Sequence, residues 1–151
     1  MMKADVSSYE AVIAASFIRG WEAERLEAYQ CSAGVWTIGV GHTKGVKAGD
    51  KITERESRHL FHSDLNQFKK ELVKVVKVPV TQGQFVALMS ILFNIGLPNF
   101  RSSTLLKKLN EGDYEGCALE FPRWKYSNGV VIRGLLNRRK AEKALFEGAN
   151  G

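Results

Sequence analysis

Three unlike reactive groups stand close together in the run WEAERLEAYQCSAGVWTIGVGHT, Trp21 to Thr43. They are the carboxyl of Glu22, the thiol of Cys31 and the hydroxyl of Thr37. A carboxyl set against an apolar face is partly stripped of water, which favours its protonated form. A proton held near neutral pH is what a general acid delivers. If the chain folds back after Glu22, all three groups face one cleft. One is then a proton donor, one a polar or ionisable group across the cleft, and one a hydroxyl able to hold a water. That set fits acid-assisted hydrolysis of a glycoside, with the acid on one face and an activated water on the other.

The elements that must carry these groups follow from hydrophobic period and capping signals. Residues 8–27 read as a first helix, with Val12, Ala15, Phe17, Ile18, Trp21 and Leu26 at helical spacing and Ser7 or Ser8 as its cap. The Gly-, Val-, Ile- and Thr-rich run SAGVWTIGVGHTKGVKAGDKI reads as a small twisted antiparallel sheet. Thr53 and Glu56 form a capping box that opens a long amphipathic helix to about Val76, and Pro79 ends that pattern. Thr81 and Gln84 repeat the box before QFVALMSILFNIG, the central buried helix, which Gly96 and Pro98 close. Short helices are expected at 102–111 and 113–121, the second capped by Asp113. Ser127 to Gly129 is a turn, and a last helix runs from about Leu135 to Glu147. The fold class is α+β, mainly helical, with one small sheet toward the N-terminal side. The cleft between the sheet lobe and the helical lobe is the natural binding place.

These blocks carry a resemblance. Glu22, eight residues, Cys31, five residues and Thr37 match, without a gap, the signature of the phage-type lysozymes, the muramidase endolysins of glycoside hydrolase family 24. AERLEAY, GVWTIGVGHT, QFVALMSILFNIG, FRSSTLLKKLNEGDYEG, EFPRWKYSNG and LLNRRKAEKALFEG resemble the other family blocks in order, over residues 9–148. The resemblance implies one lysozyme-like domain over 1–151. It would have a sheet-containing lobe at about 28–60 and a helical lobe at 1–27 and 61–151, built around the central helix. It implies hydrolysis of the β-1,4 bond between N-acetylmuramic acid and N-acetylglucosamine in peptidoglycan (the EC 3.2.1.17 type), leading to host cell lysis. Glu22 matches the general acid, Cys31 the second catalytic position and Thr37 the residue that places the water.

Asp is the more familiar residue at the second position. A free thiol, with a pKa of about 8.5, is mostly protonated at pH 7. Cys31 is therefore an acidified base, a group that only orders the water, or a direct nucleophile. Arg138 matches an arginine placed near the catalytic acid, although "NRRK" also reads as a solvated surface. Asn94 reads as a partner for an N-acetyl group, a contact to the lobe connection, or a helix cap. Trp124, with Arg123, braces the helical side of the cleft or packs in the core. His42 reads as structural, with Asp64 on the long helix as its partner.

Composition sets the outer limits. At 151 residues, 44% hydrophobic and 25% charged, the chain can bury a core of its own. Two cysteines, Cys31 and Cys117, are too few for a disulfide framework, and the three histidines have no metal-ligand spacing. Neither metal nor cofactor is expected. The net charge of +6 points to a polyanionic partner, and peptidoglycan, whose peptides carry carboxylates, meets that description. Nucleic acid is not expected, because no binding motif accompanies the basic stretches at Lys69, Lys70, Lys74, Lys77 and NRRKAEK. The run AVIAASFI is too short to span a bilayer and lacks a basic leader. The expectation is a monomer without a stable membrane anchor, held in the host cytoplasm until a holin-like pore gives it access to the wall. Two other readings use the same charge: a non-catalytic cationic wall-binding module, and membrane disruption by a basic amphipathic helix. Neither needs Glu22.

Overall fold

Two threonines set the frame. The computed structural model describes residues 2–148, and within it both capping boxes form. The Thr53 hydroxyl accepts from the Glu56 amide at 3.1 Å while the Glu56 carboxylate accepts from the Thr53 amide at 2.9 Å. This opens helix α2, Glu54–Val75. Thr81 and Gln84 exchange the same pair of bonds at 3.1 and 2.9 Å and open helix α3, Gln82–Ile95. Each box satisfies two amides that a helix start would leave without partners. Phe85 to Leu92 are all buried, so α3 is the apolar axis expected from its sequence. Gly96, at φ 83°, ends it.

The other helices wrap this axis. Helix α1 is Ala15–Arg19, preceded by 3-10 turns at Val6–Ser8 and Ala11–Ala14. Helices α4 (Leu97–Arg101), α5 (Thr104–Asn110), α6 (Tyr114–Glu120) and α7 (Arg133–Phe146) follow α3. Ser103 caps α5 and Asp113 caps α6. The short α4, with Pro98 in its first turn, is absent from the sequence expectation. One core joins Ile18, Phe61, Leu65, Leu72, the buried face of α3, Leu109, Phe121 and Phe146.

The sheet is where expectation and structure part. The helix expected over 8–27 is α-helical only from Ala15 to Arg19 and has no side-chain cap, while Asp5, rather than Ser7 or Ser8, caps the 3-10 turn at Val6–Ser8 by accepting from Ser7. Glu24–Gln30 is strand β1, antiparallel to β2, Trp36–Val40. Helical spacing reached Leu26 only by chance, since that side chain is exposed on the strand. The charged residues of β1 hid its identity, because a surface strand buries too little to impose a clear two-residue period. A second hairpin, β3 (Tyr126–Ser127) and β4 (Val130–Val131), turns at Asn128 and Gly129, both with positive φ. That is the left-handed pair a two-residue hairpin favours.

Helices α3 and α7 approach closely at Gly83. A Cβ placed there would lie 2.7 Å from the Leu145 carbonyl oxygen. Glycine normally costs a helix roughly 1 kcal/mol against alanine. Here the sign reverses: Gly83→Ala must push the two helices apart. We expect a loss of about 1–3 kcal/mol, read as a lowered urea midpoint with unchanged m. A midpoint equal to or above that of the parent would contradict the close contact.

Candidate active site

Glu22 sits just past the end of α1, where its amide still donates to the Ile18 carbonyl at 3.1 Å. Two residues on, Glu24 is fixed from below. The hydroxyl of Ser57, fully buried on α2, donates to Glu24 Oε2 at 2.6 Å, and Arg19 reaches Oε1 at 3.2 Å. The corner from helix to strand is thus pinned to α2, and Glu22 is carried on it.

The Glu22 side chain is 18% exposed, so it is largely shielded from bulk solvent. On one side of it is the end of β2. Ile38 and His42 exchange backbone bonds at 2.8 and 2.9 Å, closing a tight turn through Gly39 and Gly41. Gly41, at φ 72°, leaves room for the carboxyl, because a Cβ there would stand 3.0 Å from Glu22 Oε1 and 3.1 Å from the ring of Phe93. Opposite, Arg138 of α7 donates through Nη1 to Glu22 Oε2. The guanidinium is 4% exposed, so this ion pair is largely shielded from water.

Cys31 and Thr37 occupy the turn at the other end of the sheet. The Cys31 amide donates to the Val35 carbonyl at 2.9 Å, and the Gly34 amide donates back to the Cys31 carbonyl at 2.8 Å. Thr37 pairs with Tyr29 across the ladder, is buried, and donates from its hydroxyl to the Val35 carbonyl at 2.9 Å. Burial raises the Cys31 thiol. Hydrogen bonds from the Val35 and Ala33 backbone, the Thr37 hydroxyl and its own amide outweigh that and bring it below the ordinary thiol range. The Thr37 hydroxyl has one hydrogen to divide between the thiolate and the Val35 carbonyl. Tyr29 lies close enough to both Glu22 and Cys31 to feel their charges. Burial raises its phenol, and the charge of Glu22 and, more weakly, that of Cys31 raise it further, against the pull of Arg25.

The supporting residues divide. His42 Nδ1 lies 2.8 Å from Asp64 Oδ2, and Nε2 lies 3.0 Å from the Lys44 carbonyl, so the ring ties the sheet turn to α2. Trp124 is half-buried against the core, and its carbonyl accepts from Arg139 at 3.5 Å. Arg123 turns outward to Glu120. Asn94 is exposed on the last turn of α3. Several neighbours escaped sequence reading: Gly41, Phe93, Tyr29, and the group around Arg138, namely Ser90, Arg139 and Glu142. The one available signal was the polar Ser90 within the otherwise apolar run from Phe85 to Phe93. Among the described residues no cluster of His, Cys, Asp and Glu could hold a metal ion.

Residues 19–142 match the family model described as Phage lysozyme. The endolysin of Acyrthosiphon pisum secondary endosymbiont phage 1 is 48% identical over 136 residues, covering 87% of this chain and 93% of that protein. The endolysin of Bacillus phage PZA is 42% identical over 87% of this chain, which spans only 52% of that relative's length. A protein named SAR-endolysin, from Enterobacteria phage P21, is 37% identical over 78% of this chain and 72% of its own. Among solved structures, the muramidase domain of SpmX from Asticaccaulis excentricus superposes with a TM-score of 0.79 at 35% identity, covering 89% of this chain and 94% of that one. A crystal structure of P22 lysozyme gives 0.71 at 37% identity, over 97% and 99%.

Two outcomes are expected from the geometry. Gly41→Ala strains a left-handed backbone position and crowds the Glu22 carboxyl. Activity should fall about 100-fold, as expected for a reacting group displaced by about 1 Å, while the variant stays folded by circular dichroism. Cys117 is buried and pushed up to about 12. The folded protein should therefore take up one equivalent of iodoacetamide, at Cys31, with a rate that rises at lower pH than for free cysteine. By linkage, the thiolate preference of Cys31 stabilises the fold above the unfolded thiol pKa and is lost as pH falls through the depressed folded value. Two fast-reacting thiols in the native state would refute this assignment.

Proposed function

The chain belongs to the phage lysozyme family, and from that membership we propose how it works as a peptidoglycan-hydrolysing endolysin of the muramidase type. Its bond is the β-1,4 link between N-acetylmuramic acid and N-acetylglucosamine, the reaction of the EC 3.2.1.17 class and of glycoside hydrolase family 24. Glu22 donates its proton to the glycosidic oxygen. The bond from that oxygen to the anomeric carbon breaks, and the sugar oxygen leaves as a hydroxyl. A water held by Thr37 attacks the carbon from the opposite face and gives up its proton to Cys31, acting as base. One water is consumed per bond, and the anomeric configuration inverts. Inversion calls for roughly 6.5–9.5 Å between acid and base so that a water fits between them. Arg138 stabilises the carboxylate left on Glu22 after donation.

The observation that carries this reading is the shielded contact of Glu22 with Arg138 at the corner from which the sheet starts. A wall-binding module that does not cut would not need it. Trp124 and Asn94 are proposed to meet the sugar chain from the helical side, with His42 and Asp64 in a structural role. The working unit is one lysozyme-like domain. Its small lobe is about residues 28–60 and its helical lobe about 1–27 and 61–151, with the strand Glu24–Gln30 crossing the boundary between them. It acts as a monomer on the cell wall, reached from the host cytoplasm through a holin-like pore. The net charge of +6 favours encounter with the carboxylates of peptidoglycan in a salt-dependent way. No described helix is long and apolar enough to cross a membrane.

Glu22→Gln should abolish release of reducing ends from purified peptidoglycan while co-sedimentation with it persists. Cys31→Asp should keep substantial lysis and Cys31→Ala should lose most of it. Products should carry an added water by mass, where a lytic transglycosylase would leave anhydro ends. Lysis that survives Glu22→Gln would sink the enzymatic reading, and an Ala variant as active as the parent would remove Cys31 from the reaction. If expression without any pore protein lyses the producing cell, the holin route is wrong.

A further inference from the structure

Arg138 is not held by Glu22 alone. Ser90 on α3 and Arg139 and Glu142 on α7 are each fully buried, and Arg138 is 4% exposed. The Ser90 hydroxyl donates its one hydrogen to Glu142 Oε2. The same oxygen of Ser90 then accepts from Arg138 Nε and Nη2, both at 3.3 Å, and the Ser90 carbonyl accepts from Nη2 at 3.1 Å. Glu142 Oε2 also lies 3.3 Å from Arg138 Nε. Arg139 closes the group on its far side, with Nη2 donating to Glu142 Oε2 at 2.9 Å and Nε 2.6 Å from Oε1.

One edge of the Arg138 guanidinium, Nε and Nη2, is therefore fastened inside the α3–α7 interface. The remaining nitrogen, Nη1, faces Glu22. Two arginines and two glutamates balance in charge. A buried ion group of this kind is poor value as a stabiliser: an apolar replacement of similar volume is often as stable or more so. What it does supply is orientation, because a planar guanidinium held along one edge has a fixed direction for the other. The neighbouring close approach of the helices has the same sense, since Gly83 lies two turns before Ser90 on α3 and its counterpart Leu145 lies one turn after Glu142 on α7.

We propose that Ser90 and Glu142 are positioning residues for the hydrolysis: they clamp Arg138 so that its Nη1 fixes the place of the Glu22 carboxyl in the groove. This rests on the reading of Glu22 as the general acid. Neither residue touches substrate, and both act through Arg138.

The test is a mutant cycle with steady-state kinetics on soluble peptidoglycan fragments, each variant checked for its melting temperature. Ser90→Ala should lower kcat about tenfold and Glu142→Gln about a hundredfold, the range for a misplaced reacting group, with KM unchanged within about twofold. In an Arg138→Met background neither change should lower kcat further, because residues of one network are not additive. Leu109→Ala, a core cavity on α5, should lower the melting temperature comparably yet keep the parent kcat. Parent-level kcat in Ser90→Ala, or full additivity with Arg138→Met, overturns the proposal. Should Glu142→Gln fail to fold, Ser90→Ala decides alone. Glu22→Gln separates the two levels. If it retains parent kcat, the general-acid reading falls. If it is inactive while Ser90→Ala is fully active, only the clamp falls.

Discussion

The contact between Arg138 and Glu22 joins residues 116 positions apart. It is the point at which the helical part of the molecule takes hold of the corner from which the sheet grows. Both partners of that contact are largely shielded, Arg138 at 4% and Glu22 at 18% exposure. Burial removes competing water from the guanidinium, and low local dielectric strengthens a pair only where both partners are held in place. Glu22 is held by the helix end behind it, by the Ser57–Glu24 bond below it and by the open face of Gly41 before it. Position and electrostatics are thus supplied by the same few residues.

The sheet contributes differently from the helices. It is small, with a mostly exposed β1 and a mostly buried β2, and what it offers is a pair of turns. At one end, Gly39 and Gly41 take left-handed conformations that let the backbone pass close to Ser57 and to Glu22 respectively. At the other, Gly34 closes a loop whose amides and the Thr37 hydroxyl favour the charged form of the Cys31 sulfur. His42, through Asp64, fixes the first turn to α2. A two-stranded ribbon is marginal by itself, and here α2 serves as the bench on which it is mounted.

Much of this was legible in the residues. Thr53, Glu56, Thr81 and Gln84 announced both long helices because a capping box is a local device, satisfied within four residues. The apolar run of α3 announced the axis. The nearness of Arg138 to Glu22 followed from the family pattern, and Asp64 was the partner read for His42 from its place on the long helix. What stayed hidden was non-local. The strand at Glu24–Gln30 has charged residues at Glu24, Arg25 and Glu27 and a chance apolar spacing that continues α1. Only its pairing with β2 makes it a strand. Ser90 and Glu142 sit 52 positions apart, and nothing in either neighbourhood says that they meet.

The long separation of Glu22 from Arg138 also orders events in time. A ribosome adding about 5–20 residues per second exposes the carboxyl many seconds before the guanidinium exists. The corner at Glu22 can form early, but its counter-ion arrives only with the last helix. A chain made only as far as β4 consequently has the carboxyl without the group that fixes its place.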